Sequence, residues 1–178
     1  MAGGATGLDD SIMLNAYELF GFMSPALATE IIETTFATQK ELYHATLAAV
    51  AEARKLRPVF YERKPRTERH KDMIDMLCRP RLDAAASALI RGWLMKNETA
   101  MLKDFLDTLG ITHKDGAAED LPTTVEDDKL KGAVDLLLGK HPREKVVVYL
   151  NAFDAMNEVR WPNLKDLLEK DERLQLVA

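Results

Sequence analysis

Apolar residues in this chain return every three or four positions and almost never alternate. After Ser24-Pro25 they fall at Leu27, Ile31, Ile32, Phe36, Tyr43, Leu47 and Val50. A helix gathers such positions onto one face, whereas a half-buried strand needs a period of two. The β-branched run KVVVYL, residues 145–150, is the best candidate strand. Even there Val146, Tyr149, Leu150 and Phe153 keep helical spacing, and no convincing second strand exists to pair with it. The pattern therefore predicts an all-α fold, a multi-helix bundle of about six to eight helices.

Punctuation sets the expected boundaries. Asp9, Asp10 and Ser11 suit a helix start, and the apolar segment from Ile12 to Met23 reads as an N-terminal arm. That arm packs either on the chain's own core or on a second copy. Ser24 caps the next helix with Pro25 at its first position, and one long helix is expected to run to about Leu56, ended by Arg57-Pro58. Val59, Phe60 and Tyr61 read as an extended connector. Pro65 and Thr67 open a helix that Pro80 breaks, Asn97 caps another, and Gly110 stops it. The loop THKDGAAEDLPTT, residues 112–124, is the expected subdomain boundary. It divides a bundle with its apolar arm (1–111) from a C-terminal helical subdomain (112–178), or lies within one continuous domain. Helices are expected near 125–138, 142–158 and 162–171.

Several function classes find no support. The sequence contains no GxSxG, no GxxxxGK[ST] and no GxGxxG, so nucleophile-elbow and phosphate-loop chemistry have no anchor. One cysteine, Cys78, makes an intrachain disulfide or a cysteine zinc cluster impossible. That fits a reducing cytoplasm, as does a start without a basic and apolar leader pattern. No apolar run reaches the ~20 residues a bilayer span needs. The last predicted helix carries more acids than bases, which argues against a helix-turn-helix reading element. No cofactor is implied.

Charge is the informative quantity. The chain carries −5 overall, yet residues 54–96 carry +7 between flanks of −6 each. The excess concentrates in RKLRPVFYERKPRTERHK, which supplies Arg54, Lys55, Arg57, Arg63, Lys64, Arg66, Arg69 and Lys71. Arg66, Arg69 and Lys71 fall near the first turn of a helix, where cations oppose the dipole but an anion is welcome. These eight residues either form a phosphate or polyanion site, with Tyr61 available to stack, or answer the carboxylates of the acidic flanks. A weaker constellation is Glu41-Leu-Tyr-His44, a Glu-x-x-His helical spacing of the kind used in di-iron bundles. Glu30, Glu33 and His70 would have to complete it.

The block FLDTLGITHKDG…DLP…KLKGAVDLLLGKHP…VVVYLNAF…WPNLKDLL, about residues 102–168, resembles uncharacterised bacterial helical proteins. The resemblance implies no activity, ligand or catalytic residue; it implies that Gly116, Pro122 and Trp161-Pro162 fix turns. The functional expectation is a non-catalytic interaction or self-associating module. Its partner would be a second copy or an acidic protein, and nucleic acid is the alternative partner. Self-association would use the arm or the small residues after Pro80.

Overall fold

The computed structural model describes residues 14–176. It is all-α, with ten α-helices among the described residues: α1 (Ala16–Phe22), α2 (Pro25–Thr38), α3 (Lys40–Ala53), α4 (Pro58–Glu62), α5 (Arg66–Leu77), α6 (Asp83–Asn97), α7 (Thr99–Thr108), α8 (Asp127–Lys140), α9 (Arg143–Met156) and α10 (Pro162–Lys170). Between α7 and α8 a two-residue hairpin pairs β1 (His113–Lys114) with β2 (Ala117–Ala118). No helix among the described residues is long and apolar enough to cross a membrane. The predicted caps Asp9, Asp10 and Ser11, and Ile12 and Met13 of the arm, lie outside the described residues.

Two expectations for residues 24–62 are corrected. The predicted long helix is two helices, broken at Gln39 (φ −137°, ψ 68°). No glycine or proline marks the break. Instead Thr34, Thr35 and Thr38 each turn a hydroxyl back onto the carbonyl four residues earlier, a competition that bends helices. The Gln39 amide then donates to the Gly92 carbonyl of α6 at 3.1 Å. The second correction concerns the connector: Pro58 starts α4, with Arg57 extended before it. Proline at the first helical position costs no hydrogen bond.

Between these corrections α3 ends in a Schellman turn. The Leu56 N–H donates to the Ala51 carbonyl and the Lys55 N–H to that of Glu52, while Lys55 takes the left-handed conformation at φ 57°. Helix α7 ends in the same way at Gly110. Glycine is the usual occupant of that position, so a lysine there carries roughly 1 kcal/mol of strain.

Helix α6 lies at the centre. It buries Ala86, Leu89, Ile90, Trp93 and Leu94 and packs against α1, α2, α3, α7 and α9. Ion pairs tie the surrounding helices down: Lys145 of α9 bridges Glu30 of α2 at 3.1 Å and Glu98 before α7 at 2.7 Å. Glu144 accepts from both the N–H and the hydroxyl of Ser24, the cap of α2. KVVVYL is helical, with Val146 to Leu150 all buried.

The hairpin depends on one glycine. Gly116 has φ +89°, and a Cβ there would stand 2.8 Å from Leu102 Cβ. Gly116→Ala therefore meets both backbone strain and a neighbour too rigid to yield. The substitution is expected to cost about 2–4 kcal/mol, measured by urea unfolding. Gly132→Ala, in open space on α8, is the control and should not destabilise.

Candidate functional site

The eight basic residues divide into two groups. Four are engaged within the molecule. Arg54 pairs with Asp72, which also accepts from the Tyr61 hydroxyl. Arg66 lies 3.5 Å from Glu33 and over the Phe36 ring. Arg69 packs over Phe36 and Tyr43 and donates to the Glu62 carbonyl, leaving its Nε buried without a partner. Lys64 sits over the Tyr61 ring at 5.0 Å. By contrast Lys55, Arg57, Arg63 and Lys71 are exposed and form no ion pair with a described residue. Among the described residues the acidic flanks supply only Glu33 to these cations, and Asp72 and Glu62 lie within the middle itself.

Glu33 belongs to a buried network. His70 Nδ1 is 2.9 Å from Glu33 Oε1, and His70 Nε2 is 2.8 Å from the Tyr43 hydroxyl. A carboxylate only accepts, so Nδ1 carries the proton and Nε2 accepts from Tyr43. The imidazole is neutral in this arrangement. Burial pulls its pKa below the usual histidine value; the Glu33 hydrogen bond opposes that, while Arg69 and Arg66 reinforce it. Burial also raises the Tyr43 phenol. The network ties α2, α3 and α5 together inside the core.

The same segment exposes apolar surface. Leu56, Val59 and Phe60 are 43, 40 and 51 % exposed. Tyr61 turns inward from α4, and burial plus its bond to Asp72 pushes that phenol up to about 12. With Tyr61 anchored against α3, Val59 and Phe60 are held outward. Three large apolar side chains thus stand within five residues, among the cations Lys55, Arg57 and Arg63. The charge pattern identifies those cations, but not the apolar trio, since Val59 and Phe60 read in sequence as an extended connector. The available signal was Pro58, which as a helix opener makes one face of such a short helix point to solvent.

The metal constellation does not assemble. Glu41 and His44 are both exposed on α3, His70 binds Glu33 and Tyr43, and Glu30 binds Lys145. No cluster of three or more metal-ligating side chains occurs among the described residues. His113 and His141 bond Asp107 and Asp104 of α7 at 2.7 and 2.8 Å. The His141 bond lowers the Asp104 carboxyl below the usual range. Cys78 gives its S–H to the Ile74 carbonyl, and burial raises its pKa, the opposite of what a reactive thiol needs. Arm residues Ala16, Leu19, Phe20 and Met23 are buried, with α1 packed on α6; that face is occupied by the chain's own core. Comparison with protein-family models, with curated proteins and with solved structures finds no match for this chain.

Proposed function

We propose that the protein is a non-catalytic interaction module, acting in the cytoplasm, that docks an acidic amphipathic segment of a partner protein on the surface around α4. The observation that carries this reading is the exposed trio Leu56, Val59 and Phe60 set among cations without an internal ion pair. Interfaces place apolar anchors at the centre and polar groups at the rim, and charge complementarity selects the partner. A strained lysine at position 55 keeps one more cation at that rim. Bare polyanion binding would use the cations but has no need of three exposed aliphatic and aromatic side chains.

The test is anisotropy with a labelled acidic peptide carrying Leu and Phe at helical spacing. A second peptide keeps the charges but replaces the apolar residues by serine, and a single-stranded oligonucleotide is the third probe. The first peptide is expected to bind, and Phe60→Ser to weaken it about tenfold. Arg57→Glu with Arg63→Glu should weaken it most at low salt. Preference for the oligonucleotide, unchanged by Phe60→Ser, would replace this reading with the polyanion one. Failure of the first peptide to bind at low salt would overturn the acidic-segment reading.

A further inference from the structure

A groove of about 470 Å³ runs between α6, α7, α9 and the β1–β2 hairpin, and it shares no residue with the α4 surface. Its walls are mostly apolar, with Leu102 and Phe153 inside and Met95 and Met156 toward solvent. Unbranched thioethers adapt to irregular shapes. The size and lining are those of small-molecule sites, which pair an apolar cavity with a few placed polar groups.

Three polar side chains interrupt the apolar wall; Asn157 gives its amide N–H to the Phe153 carbonyl, and the other two have no such partner. Tyr149 is only 4 % exposed, yet its hydroxyl makes no hydrogen bond with any described residue. Arg69 Nε is the one fully buried side-chain polar atom without a partner among the described residues, so the Tyr149 hydroxyl keeps contact with solvent and is open to a ligand's acceptor. Burial also holds the phenol in its protonated form, so the group remains a donor. Arg91 of α6 lines the same groove, is exposed at its edge, and has no ion pair with a described residue. No aspartate or glutamate lines the groove, so its one formal charge is positive. A guanidinium and a phenol O–H are both donors, and both call for an acceptor.

We propose that this groove binds a small apolar carboxylic acid. Its hydrocarbon body lies against Leu102, Phe153, Met95 and Met156, the Arg91 guanidinium neutralises the carboxylate, and the Tyr149 hydroxyl donates to a ligand oxygen. An apolar molecule without the acid group leaves Arg91 unanswered and binds more weakly. A polar acid without the hydrocarbon body fails to cover the wall.

The full chain with ¹³C-methyl methionine is titrated with octanoate and, separately, with octan-1-ol. Met95 and Met156 report on the groove; Met73 and Met101, buried elsewhere in the core, are internal controls. Octanoate is expected to shift the Met95 and Met156 methyls in a saturable way and leave the controls in place. Arg91→Gln, at an exposed position, is expected to weaken octanoate about tenfold and leave octan-1-ol unchanged. Tyr149→Phe, nearly isosteric, is expected to weaken octanoate while the melting temperature holds. Equal binding of the acid and the alcohol, with no effect of Arg91→Gln, would overturn the carboxylate assignment. Absence of a saturable shift at Met95 and Met156 would overturn the site.

Discussion

Trp161→Ala is expected to lower the free energy of unfolding by about 4 kcal/mol. Trp161 is buried, precedes Pro162 at the head of α10, and sits 5.1 Å from the Phe153 ring. Phe153 in turn packs edge-on against Phe105 and Tyr149. The indole N–H donates to the Pro122 carbonyl at 2.8 Å, while the next polar side chain, Asn163, donates to the Val125 carbonyl at 2.6 Å and to Asp127. One residue thus joins α10, α9 and the loop leading to α8. Its removal leaves a cavity too deep for those elements to close. Trp161→Phe keeps most of the buried ring area and loses the N–H, so it should cost only about 1–2 kcal/mol. Urea unfolding of both variants checks the pair; equal small losses would show that α10 is peripheral to the cooperative unit.

His70→Ala is expected to cost about 3 kcal/mol at pH 7.5. The substitution opens a cavity and removes the imidazole nitrogen that accepts from the buried Tyr43 hydroxyl. Glu33 is less affected because it reaches solvent and Arg66. The same histidine gives a signature in pH. Its folded pKa lies below the unfolded value, so the folded state binds fewer protons once the unfolded chain begins to protonate. The contribution is complete above about pH 6.5 and falls with decreasing pH through that value, by up to about 1.4 kcal/mol per unit, until the folded imidazole titrates. Asp104 and Asp171, whose pKa values are lowered, lose their contributions only below about pH 4. Stability measured at pH 7.5 and pH 5.5 should therefore drop in the natural chain more than in His70→Ala. Equal drops would mean that His70 is protonated in the fold.

Both predictions rest on partners far apart in sequence, and that separates what was legible from what was not. The ends of α5, α7 and α9 were readable because Pro65, Gly110 and Pro142 act within a few residues of themselves. Helix α10 was readable from Pro162 and from leucines at helical spacing. The turn residues Pro122 and Trp161 were also visible as punctuation, though not that one accepts a hydrogen bond from the other. The break at Gln39 was hidden because threonine is only a mild helix breaker, and its effect is completed by Gly92 on another helix. Glu33, Tyr43 and His70 were each named among nearby motifs. Their meeting was not foreseeable, since it depends on how α2, α3 and α5 cross. The groove was likewise invisible, its walls coming from three helices and a hairpin spread between Arg91 and Asn157.

The sequence by itself determined that this chain is helical, about where α5 and α7 to α10 begin and end, and that a cationic segment divides two acidic ones. Those properties follow from backbone sterics, apolar period and composition, which act over one or two turns. Only the tertiary structure decided which cations are answered inside and which face outward. Packing also decided that the Ala16–Phe22 helix closes on its own core, and that Phe60 points to solvent because Tyr61 is held inward. A charge or an apolar side chain acquires its role from the distance and dielectric of its surroundings, and packing between remote helices sets both.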